Sequence, residues 1–152
     1  MKLTTRTRYG IRMLIYIASK NTSEATTLQE ISNNQDISLK YLEKISKILK
    51  ESGYINGKRG PKGGYELLKP AKEIRLGDLV RVLEGNLDFV DCWFNQKPCP
   101  RINECKSRIV WNELQKLIYN RLNYVTLSDL VQDNKSCQQL ISEEIHTAED
   151  KQ

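Results

Sequence analysis

The sequence predicts a mainly α fold with a single β-hairpin, on the basis of three observations. Apolar residues recur at helical spacing through most of the chain. A tight polar turn at 33–36 separates two predicted helices. A Gly- and Pro-rich turn at 59–63 then joins two short strand-like segments, at 54–58 and 64–68. Together these features predict a winged helix-turn-helix domain with a two-stranded β wing, followed by a long C-terminal helix.

Length and hydropathy place limits on the class of protein. A chain of 152 residues forms one domain, or one small domain with an appendage, and can bury a real core. No apolar run approaches the length of a membrane-spanning helix. The N-terminus lacks the uninterrupted apolar stretch of a signal peptide. We therefore expect a cytoplasmic protein without a membrane partner.

Positive charge is concentrated in the first half of the chain. Residues 1–70 hold 13 Lys and Arg against 6 Asp and Glu, a net charge of +7, whereas residues 71–152 hold 11 against 13, a net charge of −2. A basic half of this kind indicates a polyanionic partner, and double-stranded DNA is the foremost candidate. The alternative interpretation is a well-solvated basic surface.

The first two predicted helices cover about residues 5–20 and 27–34. Three arginines near the start of the first helix are candidates for phosphate contacts or for solvated charges: Arg6, Arg8 and Arg12. In the second helix the spacing of Thr27 and Glu30 matches a capping box, in which each side chain bonds the backbone amide of the other residue. Thr27 is also assigned to the DNA-binding face.

A third helix, starting at Ser38 and ending before Gly53, divides into two faces. Leu39, Leu42, Ile45 and Leu49 recur at spacings that line one face for a core. The opposite face carries Lys40, Lys44 and Lys47 and presents Tyr41 outward. A recognition helix in a major groove needs this division. A solvated lysine face is the alternative when the helix is considered alone.

The predicted hairpin follows this helix directly and strengthens the DNA-binding interpretation. Its turn carries Arg59 and Lys62 at its tip. A wing in this position can lie along the DNA backbone or insert an arginine into the minor groove. Helix-turn-helix, wing and basic charge together predict DNA binding more strongly than any one of them.

The second half of the chain predicts a cysteine loop and an association helix. A short helix at about 76–84 ends at Gly85, and a longer amphipathic helix at 106–123 has apolar residues on one side. Such a helix is expected to pair with its own copy in a homodimer, which would also present two recognition helices to two half-sites. Thr126 is expected to cap a last helix at 127–132. The predicted organisation is a winged domain at 1–85, a sensor loop at 86–105, an association segment at 106–132 and a polar tail at 133–152.

The loop holds Cys92, Cys99 and Cys105, spaced C-x6-C-x5-C. Zinc sites usually contain paired C-x2–4-C knuckles, and this spacing has none. Thiolates in an open, Pro-containing loop favour an iron–sulfur cluster. Zinc, thiol redox sensing and simple burial remain alternatives. The chain has neither a C-x-x-C motif nor a dinucleotide-type Gly-rich turn, so we expect no enzyme and no small-molecule substrate.

Several motifs resemble the IscR/NsrR/CymR (Rrf-two) family of bacterial winged-helix regulators. They are Met1-Lys2-Leu3-Thr4-Thr5 with Arg8-Tyr9-Gly10, Tyr41-Leu42-Glu43-Lys44-Ile45, Arg59-Gly60-Pro61-Lys62-Gly63-Gly64-Tyr65, and Val82-Leu83-Glu84-Gly85. The resemblance covers about residues 1–132. It implies a homodimeric transcriptional regulator with a 2Fe–2S cluster held by the three loop cysteines, and we expect this regulator to be a repressor. Members of the CymR type lack these cysteines, which argues against that branch.

The resemblance also assigns individual positions. Ser38, Lys40, Tyr41, Glu43 and Lys44 match base-reading positions of the family's recognition helix, and Arg59 matches its wing position. The fourth cluster ligand is not assigned. Arg108 stands where IscR-type proteins often place a histidine, and Arg8 stands where some NsrR-type members use an acidic residue. The candidates are Glu104, Asn112, Cys137 or a group from the other subunit of the dimer.

Overall fold

The computed structural model describes residues 3–20, 25–85 and 99–132. In these ranges the helices are α1 (Thr5–Ser19), α2 (Leu28–Gln35), α3 (Leu39–Glu51), α4 (Leu76–Glu84), α5 (Ser107–Tyr124) and α6 (Leu127–Val131). An antiparallel hairpin of β1 (Ile55–Lys58) and β2 (Gly64–Leu67) follows α3, and the single 3-10 turn Ala71–Glu73 leads into α4. The predicted mainly α fold with a two-stranded wing is confirmed. Cys92, most of the predicted cysteine loop and the predicted tail at 133–152 lie outside the described residues.

One hydrophobic core joins the first four helices, the wing and α6. Its buried side chains are Met13, Leu14, Ile17, Ile31, Ile37, Leu42, Ile45, Leu49, Ile55, Ile74, Leu79, Leu83 and Leu127. Leu127 reaches this core because the backbone returns beside the 3-10 turn: its amide donates to the carbonyl of Ile74 at 2.8 Å, and the amide of Leu76 donates to Val125 at 2.8 Å. Helix α6 is thus packed into the winged module.

The helix-turn-helix has the predicted caps only in part. The Thr27 hydroxyl accepts from the Glu30 amide at 3.1 Å, as predicted. The predicted return bond from Glu30 to the Thr27 amide was wrong. The Glu30 carboxylate instead accepts from the Tyr16 hydroxyl at 3.2 Å and pairs with Lys20. The second helix ends at Gln35, and the residue that caps it, Asp36, has the left-handed φ of 50° and donates its amide to the Ser32 carbonyl.

Two details of α3 differ from the prediction. Ser38 does occupy the N-cap position, but its hydroxyl makes no capping bond to the first turn. Leu39 was predicted in the core and is 36% exposed, whereas Leu42, Ile45 and Leu49 are buried. Leu39 is the first residue of the helix, and the end of a helix extends beyond the layer of side chains that covers its middle.

The wing is attached to the segment that precedes α2. Thr26 and Tyr65 exchange backbone hydrogen bonds of 2.9 and 2.8 Å, which adds a one-residue bridge to the edge of the hairpin. Gly64 lies at φ +153°, and a Cβ there would come within 2.7 Å of the Thr26 backbone. A glycine is therefore required for this close approach. The bridge holds the wing at a set position beside the helix-turn-helix.

Helix α5 packs against α4 on one side and leaves its other side exposed. None of its residues is fully buried, and large apolar side chains remain exposed at Ile109, Val110, Trp111, Leu114, Leu117 and Tyr124. In the described part of the chain, no helix is both long and apolar enough to cross a membrane.

Candidate nucleic-acid interface and cysteine loop

Helix α3 carries a basic surface directly opposite its buried face. Lys40, Lys44 and Lys47 are all exposed, while Leu42, Ile45 and Leu49 are sealed into the core. Lys47 approaches Glu51 at 4.0 Å, a distance at which an exposed pair contributes little stability. The ammonium groups are therefore available to a polyanion.

Glu43 lies among these lysines without neutralising them. Its side chain is exposed, and no described ion pair joins it to Lys40 or Lys47. Its backbone carbonyl accepts from the Ser46 hydroxyl at 3.0 Å, so the contact within the helix does not use the carboxylate. A carboxylate on this face can accept a hydrogen bond from the amino group of cytosine.

Tyr41 is not fully outward-facing, contrary to the prediction. Its ring is half-buried and packs edge-on against Tyr9 of α1, with ring centroids 5.8 Å apart and planes at 88°. The ring therefore holds α3 against α1 and has only part of its surface available to DNA. The sequence did not show that Tyr9 supports Tyr41. An aromatic residue on α1 looks like an ordinary core residue until the position of α3 is known.

The tip of the wing is short and exposed. Gly60 adopts φ +112° and accepts from the amide of Gly63 at 2.9 Å, which closes the turn. Arg59 and Lys62 both lie exposed at this tip. Behind the tip, Lys58 of β1 pairs with Glu66 of β2 at 2.6 Å and ties the two strands together. The wing therefore presents basic side chains on a braced hairpin.

Two polar side chains near the helix N-termini were also predicted to reach DNA. Ser38 is exposed, and its hydroxyl is not used for capping α3. Thr27 is exposed as well, and its oxygen accepts the Glu30 amide while the hydroxyl proton is available to a phosphate oxygen. Both sites lie where backbone amides of a helix N-terminus favour an anion.

The arginines of α1 make contacts within the molecule. Arg6 donates from Nε to the carbonyl of Leu83, and Arg12 bonds Gln35 through both its Nε and its Nη2. Arg8 has a 3.5 Å contact to the Thr5 hydroxyl. These arginines were predicted to be either phosphate contacts or solvated charges. Neither interpretation included the hydrogen bonds that Arg6 and Arg12 make to other helices of the chain.

Two of the three loop cysteines are described, and both are free thiols of intermediate exposure. Cys105 lies two positions before α5, and its Sγ is 3.3 Å from the Ser107 hydroxyl. This hydrogen bond, followed by one from the Arg108 amide, holds the pKa of the Cys105 thiol below its ordinary value. Among the described residues no group of three metal-binding side chains is assembled. Partly exposed sulfurs, one of them with a lowered pKa, fit the thiolate donor set of an iron–sulfur cluster.

A winged helix-turn-helix with an exposed basic face on α3 and a cysteine-containing segment before a long helix defines the class of a DNA-binding transcriptional regulator. The chain belongs to the Rrf2 family, whose model, described as an iron-dependent transcriptional regulator, matches residues 3–133. Members of this family are regulators of transcription, so the expectation that the chain is not an enzyme is confirmed.

Similar sequences support the same family. The chain is 42% identical over 137 residues to "Protein rrf2" of Nitratidesulfovibrio vulgaris, covering 90% of this chain and 91% of that protein. It is 32% identical over 135 residues to the HTH-type transcriptional regulator IscR of Vibrio atlanticus, covering 89% of this chain and 78% of that protein.

Solved structures of two kinds of regulator resemble the fold. T. potens IscR superimposes with a TM-score of 0.72 at 29% identity, covering 91% of each chain. CymR, the global cysteine regulator of B. subtilis, superimposes with a TM-score of 0.70 at 30% identity, covering 86% of this chain and 96% of that one. The fold is therefore shared by both kinds of regulator.

Proposed function

We propose that this regulator is a cytoplasmic repressor that binds a double-stranded DNA operator as a homodimer, under the control of a 2Fe–2S cluster in its cysteine loop. The observation that carries the proposal is the two-faced α3. Its three exposed lysines stand opposite its buried leucine and isoleucine side chains, next to a braced basic wing. A helix with this division can enter a major groove without exposing the core.

In this proposal the contacts divide into two kinds. Ser38, Lys40, Tyr41, Glu43 and Lys44 read base edges from the N-terminal half of α3. Thr27, Lys47 and Lys62 bind phosphates, and Arg59 enters the minor groove. Base contacts set the sequence preference, whereas phosphate contacts set orientation and most of the salt dependence.

The proposed homodimer rests on the exposed side of α5. Val110, Leu114 and Leu117 follow one another at spacings of four and three, so they form one stripe. Val110 is 55% and Leu117 is 62% exposed. Pairing this stripe with the same stripe of a second copy would remove apolar surface from water. It would also present two recognition helices to successive half-sites of the DNA.

Cys92, Cys99 and Cys105 would hold the cluster, with the fourth ligand unassigned. When bound, a 2Fe–2S cluster supplies a centre whose state responds to redox conditions and nitric oxide. The chain supplies the connection, because Cys105 lies two residues before α5 and Gly85 ends α4 just before the loop. Ordering this loop would set α5 relative to the winged module, and so the spacing of the two recognition helices.

A thiol-redox regulator without a cluster is the second candidate. The lowered pKa of Cys105 favours it, since a thiolate is the reactive form of cysteine. The likeness to CymR structures, one of them an oxidized form from Staphylococcus aureus, is in line with it. A zinc-bound loop is a third arrangement, which metal analysis distinguishes.

The DNA-binding part is tested with DNA that the protein selects from a randomised pool. Lys44→Ala and Arg59→Ala should each weaken binding in a gel-shift assay by about tenfold, the worth of a single good contact. Lys72→Ala removes the same charge from the 3-10 turn and should bind like the unaltered protein. Unchanged affinity in the first two variants would refute the proposed interface.

The metal part is tested by anaerobic reconstitution and metal analysis of freshly purified protein. Visible absorption with two irons per chain should appear and should be lost in Cys92→Ala, Cys99→Ala and Cys105→Ala. Lys106→Ala, next to Cys105, should keep it. A colourless protein with one zinc, or with no metal and a reversibly oxidised thiol, would overturn the cluster and identify which alternative holds.

A further inference from the structure

We infer that Arg12 is a positioning residue for DNA reading, which locks the helix-turn-helix to α1 and sets the orientation of Tyr41, and that it is not a phosphate contact. This inference rests on the proposed role of α3 as the recognition helix. It assigns Arg12 a role that its exposed position on a basic helix would not suggest.

Arg12 contacts the end of α2 at two atoms of one residue. Its Nη2 donates to the backbone carbonyl of Gln35, and its Nε lies 3.3 Å from the Gln35 Oε1. Gln35 is the last residue of α2, so its carbonyl is one of those left without a partner inside the helix. A guanidinium there satisfies that carbonyl and meets the negative end of the helix dipole.

The position of this contact determines what it controls. The next residue, Asp36, has a left-handed backbone with φ 50° and begins the turn into α3. Within the helix-turn-helix itself, Ser32 holds this turn, because its carbonyl accepts from the amides of Asp36 and Ile37 and its hydroxyl donates to the Ile37 carbonyl at 2.7 Å. The contact from Arg12 joins the end of α2 to α1. The guanidinium therefore holds the last carbonyl before the turn against α1.

The same guanidinium also reaches the recognition helix through an aromatic ring. Its Cζ lies 5.6 Å from the centre of the Tyr9 ring, within the range of a cation–π contact. The Tyr9 ring meets Tyr41 edge-on at 5.8 Å. Arg12, Tyr9 and Tyr41 thus form a stack that runs from α1 to the reading surface of α3.

The geometry also limits what else Arg12 can bind. Arginine has five N–H donors in a planar fork, and the Nε and Nη2 sides are both turned to Gln35. A bidentate phosphate contact along that edge would require the Gln35 bonds to break. Lysine at this position would keep the charge but would lose the fork.

The test separates positioning from direct contact by measuring operator binding and non-specific DNA binding over a range of salt concentrations. Arg12→Ala should lose about tenfold in operator affinity, comparable to one mispositioned base contact, while non-specific affinity and the salt slope stay unchanged. A phosphate contact would instead reduce the slope by about 0.9 and weaken both kinds of binding equally. Arg12→Lys should not restore the ratio of specific to non-specific affinity, and Lys72→Ala should leave it unchanged.

A double-mutant cycle checks that Arg12 acts through Tyr41. Because Arg12 would do its work by orienting that ring, Arg12→Ala should add little to the loss caused by Tyr41→Ala, whereas independent effects would add. Full additivity would refute the proposed stack.

A measurement without DNA keeps the inference independent of the proposed interface. Amide hydrogen exchange of residues 36–41 in the free protein should be faster in Arg12→Ala than in the unaltered chain and in Lys72→Ala. Unchanged exchange would refute the positioning role of Arg12 even if operator binding is confirmed. If the unaltered protein selects no DNA while the exchange does change, the proposed DNA interface is refuted, but the role of Arg12 in holding the turn is supported.

Discussion

The hydroxyl of Thr7, on the first helix, donates a hydrogen bond to the carboxylate of Glu84, on the last turn of α4. The same carboxylate accepts from the Thr4 amide at 3.0 Å and from the Thr4 hydroxyl at 2.9 Å. Thr7 is fully buried. These bonds therefore hold the last turn of α4 against the start of α1.

The Glu84 carboxylate should make stability depend on pH. Desolvation alone would raise its pKa, but the hydrogen bonds from Thr7 and Thr4 and the charge of Arg6 outweigh it and lower the pKa below the ordinary value of 4.5. A group with a lowered folded pKa contributes stability that is present above its unfolded pKa and is lost as pH falls through the folded value. We expect Glu84→Gln to reduce the free energy of unfolding at pH 7 by about 1–2 kcal/mol in urea titrations.

That difference should begin to shrink as the pH falls through 4.5, where the carboxyl of the unfolded chain takes up a proton, and should be lost as the pH falls through the lower pKa of the folded carboxyl. Glu73→Gln, at an exposed position in the 3-10 turn, is the matched control and should change little at any pH. Equal losses in Glu84→Gln at pH 7 and pH 3 would show that the charge is not involved.

Replacing Gly10 by alanine should destabilise the protein, whereas the same change at an ordinary glycine within a helix stabilises it. Replacing glycine by alanine inside a helix usually stabilises it by about 0.5–1 kcal/mol. At Gly10, however, a Cβ would lie 2.6 Å from Cδ1 and 3.1 Å from Cδ2 of the fully buried Leu83. We expect Gly10→Ala to lower the unfolding free energy by about 1–3 kcal/mol, the cost of overpacking, in the same titrations. A stabilised variant would show that α1 and α4 can separate at little cost.

The two threonine caps should differ in strength. Thr126 and Asp129 form a reciprocal capping box, whereas Thr27 makes a single capping bond. Thr126→Ala should cost more than Thr27→Ala when thermal or urea unfolding is measured, with the latter costing about 1 kcal/mol. The reason is that the Thr126 hydroxyl makes two bonds, accepting from the Asp129 amide at 3.3 Å and donating to the Asp129 carboxylate at 2.7 Å. Thr126→Ser retains the hydroxyl and should recover most of the loss. Equal costs would mean that the bond from the Thr126 hydroxyl to the Asp129 carboxylate contributes nothing.

The apolar stripe on α5 should determine the oligomeric state. Leu117→Glu places a charge in the middle of the proposed contact, so we expect a monomer by sedimentation equilibrium where the unaltered chain is a dimer. Lys116→Glu introduces the same side chain on the neighbouring position, away from the stripe, and should leave the dimer intact. A monomeric unaltered protein, or a dimeric Leu117→Glu variant, would contradict the proposed interface.

Much of the fold and part of the candidate site followed from local patterns. The helix bounds and the hairpin could be predicted because apolar spacing, threonine caps and Gly-rich turns act over a few residues. The lysines of α3 could be assigned to the exposed face because Leu42, Ile45 and Leu49 had to be buried. The family could be recognised from the order of its motifs. Leu39 was wrongly predicted to be buried, because the spacing of apolar residues does not show that the first residue of a helix lies beyond the core.

The sequence alone determined the winged helix-turn-helix, the basic face of its third helix and the three loop cysteines, because each is encoded by residues close together in the chain. Only the tertiary structure decided that Glu84 holds Thr4 and Thr7, which lie 80 and 77 positions away. It also decided that Arg12 contacts Gln35 and that Tyr41 rests on Tyr9. Charged and aromatic side chains look alike in a sequence whether they face solvent or another helix, so their partners are settled only when the helices pack.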